Sequence, residues 1–123
     1  MKKLVLHTDG LEGYKKRALV RARKLDRKER IKPEVSITFD DPILMARTLT
    51  VQRVRLFQQV RKKASSISDL ARILKRDASA VRKDVLMLES VRMVETKESV
   101  NPGHGKVKIV SPVAEEYRLI AVL

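Results

Sequence analysis

The polar residues Ser79, Arg82 and Lys83, at helical spacing, have the clearest chemical potential in the chain. Val81 and Val85 recur among them four residues apart, so a helix here would bury one face and expose the other. An arginine guanidinium can donate two parallel hydrogen bonds to a guanine edge, and serine or lysine can bind base edges or phosphates. We therefore predict that this face contacts nucleic acid, with Arg82 the first candidate for a base contact. A solvated or phosphate-bound arginine is the alternative.

The surrounding residues predict two short helices joined by a tight turn. Ser66 followed by Asp69 has the form of a capping box, which marks the start of a helix. A break at residues 75–77 precedes a second helix, about residues 78–90, which Asp77 can cap. A capped helix, a turn of three or four residues and a second helix with a basic outer face form the helix-turn-helix pattern.

Elements before and after the pair complete a winged helix. Apolar spacing predicts a helix over residues 51–63, and alternation predicts strands at 92–98 and 106–110. Residues 101–105 between these strands form a strong turn signal. Helix, helix, helix and hairpin in this order predict a winged helix-turn-helix, with a recognition helix at about 78–90 and a wing at about 93–110.

Further predicted DNA contacts flank the helix pair and lie on the wing. Hydroxyls and N–H groups at a helix start suit phosphate, and basic side chains on the wing would lie along the backbone or in the minor groove. These predicted contacts are Ser65, Ser66, Ser68, Arg72 and Arg76 around the pair, and His104, Lys106 and Lys108 on the wing. For His104, an exposed loop histidine without a role is the competing interpretation.

Composition narrows the classes of function. The 123 residues include 28 Lys and Arg against 15 Asp and Glu, a net charge of +13, which favours a polyanionic partner. The absence of cysteine excludes disulfides, Cys-based zinc sites and thiol catalysis. No catalytic triad, glycine-rich phosphate loop or metal-ligand set is found, so we predict neither an enzyme nor a bound cofactor or metal. No apolar run could cross a membrane, and we expect a cytoplasmic protein.

Residues 1–47 predict a strand–helix–strand extension, so the expected fold class is α+β. Two strands and a long basic helix, about residues 11–30, bury too little to be stable alone. We expect the extension to pack on the winged domain, residues 48–123, or on a second copy, because a homodimer matches palindromic sites. The basic helix is either a further phosphate-binding arm or a solvated face. The apolar segment 116–123 predicts a buried strand or a short helix.

A set of residues along the chain resembles one group of proteins. It comprises Leu49-Thr50 with Arg53, Leu56 and Phe57, then Ser66-Ile67 with Leu70-Ala71, and Arg76-Asp77 with Val81, Asp84-Val85 and Leu88-Glu89. These residues resemble small prokaryotic winged helix-turn-helix regulators, MarR-like and predicted to act in transcription, some described as antitoxins beside a toxin gene. The chain departs from the group at Ala78, Ser79 and Ala80, where larger polar or aromatic residues are usual, and in its longer wing tip.

The resemblance implies a transcriptional regulator that binds specific double-stranded DNA. It also implies an alternative, an antitoxin that binds a toxin protein as well as DNA. A second alternative is an RNA-binding or ribosome-associated basic protein, which the positive charge allows equally. The chain has only two Tyr, two Phe and no Trp, and single-stranded RNA recognition depends on stacking aromatics.

Overall fold

A computed structural model describes residues 3–29, 34–39, 41–101, 103 and 105–121. Within these ranges the chain forms five helices and two three-stranded sheets. The helices are α1 (Gly10–Asp26), α2 (Pro42–Thr48), α3 (Val51–Lys62), α4 (Ile67–Leu74) and α5 (Ala78–Ser90). The strands are β1 (Lys3–His7), β2 (Glu34–Thr38), β3 (Ser65–Ser66), β4 (Val94–Asn101), β5 (Gly105–Pro112) and β6 (Glu116–Ile120). The mixed α+β composition confirms the expected class. The short strand β3, between α3 and α4, is an element that the sequence does not predict.

The chain divides into two units, Met1–Arg47 with Ala114–Leu123, and Thr48–Val113. The sequence division assigns residues 114–123 to the second domain. In the structure β6, which lies in this segment, pairs with β1 and belongs to the first unit.

The first unit contains a parallel sheet in the order β2-β1-β6. Helix α1 connects β1 to β2, since parallel strands need a crossover between them. The central strand β1 is buried, with Leu4 and Leu6 fully inaccessible to solvent. The prediction that the C-terminal segment is buried is wrong for β6: Leu119 and Ile120 are 50% and 41% exposed. Among the described residues, strand β6 pairs with β1 and is an edge of the sheet, and its later side chains are open to solvent.

Helix α1 ends earlier than the sequence predicts. Lys28 adopts a left-handed conformation (φ 57°), and the N–H groups of Lys28 and Glu29 donate to the carbonyls of Leu25 and Lys24. This pair of bonds is the Schellman motif, which terminates a helix without a proline. From the sequence, the helix would end at Lys32-Pro33, because a proline disfavours helical geometry in the residue before it; these two residues lie outside the described part of the chain.

The second unit contains the elements α3, β3, α4, α5, β4 and β5 in chain order, with an antiparallel sheet β3-β5-β4. Thr50 and Ser66 cap α3 and α4, because their hydroxyls accept hydrogen bonds from the N–H groups of Arg53 and Asp69. The predicted start of α4 at Ser66 is thus confirmed. Apolar residues at helical spacing in α3, α4 and α5 form much of the core of this unit. Phe57, Leu70, Val81, Val85 and Leu88 are buried, and Val54, Ile67 and Leu74 are half-buried.

Candidate nucleic-acid interface

Helices α4 and α5 are joined by a turn of three residues with a defined geometry. Lys75 adopts a left-handed conformation (φ 54°) and its N–H donates to the carbonyl of Arg72, while the Arg76 N–H donates to the carbonyl of Ala71 at 3.0 Å. Asp77 is extended and begins α5. The chain thus reverses direction sharply between the two helices, although a lysine stands where this motif usually has glycine.

Helix α5 has one buried and one exposed face. Val81, Val85 and Leu88 are at most 1% exposed, and they face the core of the second unit. The opposite face is open to solvent. It presents the predicted contact residues Ser79, Arg82 and Lys83 together with Leu86 and Ser90. The structure therefore brings the three predicted residues onto one outer surface, as their spacing requires.

Leu86 was not predicted as part of this surface. It is 57% exposed, and it follows Arg82 by four residues and Lys83 by three, so all three lie on the same side of α5. A large exposed apolar side chain between two cations suits contact with a thymine methyl group. In the sequence, Leu86 lies outside the stripe of Val81 and Val85, and this signal could have identified it as a residue of the exposed face.

Asp84 ties α5 to two other parts of the second unit. Its Oδ1 lies 3.0 Å from Nε of Arg53 on α3, and its Oδ2 lies 2.8 Å from Nη2 of Arg76 in the turn. Nη1 of Arg53 also donates to the Thr48 carbonyl at 3.0 Å. The three ionic side chains are 12%, 21% and 19% exposed, so the cluster is largely shielded from water.

Arg76, which the sequence predicts to contact phosphate, instead forms an ion pair with Asp84. In the structure its guanidinium lies against Asp84 and helps to hold α5 in position. Sequence spacing shows only that Asp84 follows Val81 by three residues and so falls near the buried face. A carboxylate there needs a cationic partner, but spacing does not show that two arginines supply it.

The serines near the start of α4 differ in accessibility. Ser65 is buried and its hydroxyl donates to the Lys63 carbonyl at 3.0 Å, and Ser66 is half-buried and caps α4. Ser68 is exposed. Arg72 is also exposed, and its Nη2 lies 3.4 Å from an oxygen of Asp69. Ser68 and Arg72 are thus the accessible members of this group.

Ser79 is exposed, but its hydroxyl donates to Oδ2 of Asp77 in the free chain. This hydrogen bond holds the pKa of the Asp77 carboxyl below its ordinary value. A hydroxyl that donates to a carboxylate has only its lone pairs left for a base edge, and the adjacent negative charge repels phosphate. Arg82 and Lys83 are therefore the stronger candidates on this face.

The hairpin of β4 and β5 contains Lys106 and Lys108, two of the residues predicted to lie on a wing. Lys106 and Lys108 are exposed; Nζ of Lys106 lies 3.8 Å from Glu98, and Lys108 lies opposite Glu98 in the strand register. Lys97 pairs in the same way with Glu95 at 3.2 Å. Acidic neighbours thus offset part of the positive charge of the hairpin. His104 lies outside the described residues.

The positive charge of the chain is concentrated outside the helix pair. Residues 67–90 contain five cations and four acids, whereas residues 51–63 contain five cations and no acid. Residues 10–29 contain eight cations and three acids. The α4–α5 pair therefore presents candidate contact side chains but little net charge. Most of the electrostatic attraction for a polyanion arises from α1 and α3.

The described residues also bear on metal binding and on membrane insertion. No group of three or more metal-ligating side chains is found among these residues. None of their helices is long and apolar enough to span a bilayer.

The protein-family model HVO_A0114 matches residues 48–115, more than half of the chain. The chain belongs to the HVO_A0114 family. The segment that the HVO_A0114 model matches contains α3, α4, α5 and the β4–β5 hairpin. Family membership therefore rests on the unit that contains the exposed face of α5.

One solved structure is similar in fold to part of the chain. It is described as a possible transcriptional regulator from Methanosarcina mazei Go1, is 21% identical in sequence and superposes with a TM-score of 0.51. The match covers 59% of this chain and 63% of that chain. No curated protein sequence matches the chain. At this identity the likeness concerns the fold.

Proposed function

We propose that the chain is a cytoplasmic transcriptional regulator that binds specific double-stranded DNA through a MarR-like winged helix-turn-helix. The observation that carries the proposal is the exposed face of α5, where Arg82 and Lys83 lie opposite a stripe of buried aliphatic residues. The description of the Methanosarcina protein as a possible transcriptional regulator supports the same role. The role requires no catalytic step and no cofactor.

In this proposal the N-terminal half of α5 enters the major groove. Arg82 donates to guanine, Leu86 contacts a thymine methyl, and Lys83 binds either a base edge or a flanking phosphate. The Asp84 cluster keeps α5 at a fixed angle to α3, so that these contacts form without reorganisation of the helix pair. Lys106 and Lys108 bind the backbone or lie in the minor groove beside the helix pair.

A selection experiment tests the proposal. The purified chain is incubated with random duplexes, and the bound fraction is amplified and sequenced over several rounds. We expect a short motif with a guanine at one dominant position, present as an inverted repeat if the chain binds as a homodimer. Duplexes that show no enrichment over the starting pool would exclude specific DNA binding.

A competition arm separates DNA from RNA. The selected duplex is displaced with unlabelled duplex or with structured RNA at the same salt concentration. We expect the duplex to compete at a concentration at least tenfold lower, since specific sites bind about 10³–10⁷ times more tightly than non-specific nucleic acid. Equal or better competition by RNA would favour the RNA-binding alternative.

A further inference from the structure

The apolar stripe of α1 points away from the rest of the first unit. The stripe consists of Leu11, Tyr14, Ala18, Ala22 and Leu25, and all five side chains are exposed. Leu11, Tyr14 and Leu25 are 65%, 52% and 64% exposed. Amphipathic helices of soluble proteins normally bury this stripe. Within the described residues of the first unit, no element covers the stripe.

Side-chain contacts hold the first half of α1 in the first unit, on the side away from the stripe. Gly13 is the buried residue of α1, and a β-carbon there would lie 1.9 Å from the Asp9 carboxyl. Nη1 of Arg17 lies 2.5 Å from Asp9, and Nη2 donates to the Thr38 hydroxyl at 3.1 Å. At 3.6 residues per turn, Gly13 and Arg17 are roughly 100° or more from the centre of the stripe. These contacts therefore lie away from the stripe, and they leave its side chains open to solvent.

The stripe has a symmetric order of spacings. Its residues follow one another at three, four, four and three positions, so the pattern is the same in both directions about Ala18. A two-fold axis through Ala18 would place Leu11 of one helix against Leu25 of a second, antiparallel helix. It would also place Tyr14 against Ala22 and Ala18 against itself. Each tyrosine then lies beside a small residue, which is the self-complementarity that a two-fold interface requires.

We propose that α1 is a self-association surface, through which two copies of the chain pair as antiparallel helices about Ala18. This inference does not depend on DNA binding, because it rests on the exposure and spacing of α1 alone. It identifies the element of the first unit that forms the homodimer expected from the sequence.

The size of the surface predicts a reversible dimer. Helix α1 has 17 residues, which at about 1.5 Å per residue makes it about 25 Å long. Alanines at the centre allow the two axes to approach to about 8 Å, the close end of the usual range. Stable interfaces involve about 20–30 residues from each partner, more than the exposed side of one such helix supplies. We therefore expect dissociation at roughly micromolar concentration.

Charge gives the dimer a characteristic response to salt. Residues 10–29 contain eight cations and three acids, so two copies of α1 repel each other at low ionic strength. Salt screens this repulsion, because the Debye length is about 10 Å at 0.1 M. Self-association should therefore strengthen as salt is raised. An acidic protein bound to α1 would instead dissociate.

An exchange of residues across the proposed axis tests the pairing. Tyr14→Ala leaves an alanine facing an alanine, and Ala22→Tyr sets a tyrosine against a tyrosine. The double variant Tyr14→Ala/Ala22→Tyr restores both tyrosine–alanine pairs. Leu19→Ala is the matched control, since Leu19 is 53% exposed on the same helix but lies outside the stripe.

The measurement is sedimentation equilibrium of the full chain at 0.15 and 0.5 M salt, with circular dichroism to confirm that each variant folds. We expect each single variant to weaken dimerisation by about tenfold or more, equivalent to about 1.4 kcal/mol. The double variant should recover to within about threefold of the original chain, and Leu19→Ala should change little. A monomer up to 100 µM, or a dimer that the single variants leave intact, would overturn the proposal. Either result leaves DNA binding by a monomer open, and the duplex selection tests that separately.

Discussion

At the scale of single residues, the ion pairs of Asp84 lead to a prediction about the stability of the second unit. The Asp84 carboxylate lies between Arg53 and Arg76, at 3.0 and 2.8 Å, and the side chains are mostly shielded from solvent. Asp84→Asn would leave two guanidinium groups close together without a counter-charge. Removal of one partner from a buried ion pair costs about 3–5 kcal/mol, so we expect a loss of roughly that size.

Urea unfolding of the original chain and the Asp84 variant measures this loss. Asp69→Asn is the matched control, because Asp69 pairs with Arg72 on the surface, where both side chains are more than half exposed. A surface pair of this kind contributes about 0–1 kcal/mol. If Asp84→Asn proves no more destabilising than the control, the cluster does not hold α5 in place.

Substitutions on the exposed face of α5 and on the β4–β5 hairpin should weaken duplex binding in two different ways. Arg82→Ala should reduce discrimination at one guanine position by about 1–3 kcal/mol, and Leu86→Ala should reduce the preference for thymine nearby. Lys108→Ala should weaken all duplexes by a similar factor, since a phosphate contact carries no sequence information. Competition binding on the selected duplex and single-base variants separates the two patterns. An equal effect of Arg82→Ala on every duplex would assign Arg82 to the backbone.

At the scale of elements, the start of α1 depends on Asp9 and Arg17. The guanidinium of Arg17 holds the pKa of the Asp9 carboxyl below its ordinary value of 3.8. A carboxyl with a lowered pKa in the folded state stabilises the fold above the pKa of the unfolded chain. This contribution is lost as the pH falls through the folded value. The contact should therefore act at neutral pH and disappear in acid.

Asp9→Asn tests this pH dependence. We expect the variant to be less stable than the original chain at pH 7, and the difference to narrow below about pH 4, where the unfolded carboxyl becomes protonated. Because both side chains are partly exposed, the difference should be modest. Denaturation curves at pH 7, 4 and 3 measure it. A difference that stays constant across this range would show that the ion pair is not its source.

Sequence patterns predict elements with local causes better than contacts between elements. The spacing of Val81, Val85 and Leu88 predicted α5 and its buried face, and the hydroxyl of Ser66 predicted the start of α4. Strand β3 was missed because two residues show no alternation. The pairing of Asp84 was missed because Arg53 lies 31 positions away. Local periodicity contains no information on such distant partners.

The same limit applies to α1 and β6. The helical spacing of Leu11 and Leu25 places both on one apolar stripe, but periodicity does not show what covers a stripe. In the structure this stripe is exposed to solvent. Apolar composition likewise led us to expect that residues 116–123 would be buried, whereas β6 lies at a sheet edge. In both cases the apolar side chains remain available to a second chain.

At the scale of the whole molecule, the uneven distribution of charge predicts opposite responses to salt. The α4–α5 pair and the hairpin are nearly balanced in charge, whereas α1 and α3 hold a large excess of cations. DNA binding releases counterions and should weaken as salt is raised. If about 6–10 phosphates are bound, the affinity should fall about 10³–10⁵-fold between 50 and 200 mM salt.

Self-association of two copies through α1 should instead strengthen as salt is raised, because salt screens the repulsion between two cationic helices. Fluorescence anisotropy on the selected duplex and sedimentation of the free chain, over one series of salt concentrations, measure both responses. A duplex affinity that hardly changes would exclude extensive phosphate contact. Self-association that weakens with salt would show that opposite charges hold the two copies together, which the antiparallel α1 pair does not predict. Because the two responses have opposite signs, one salt series tests each proposal independently of the other.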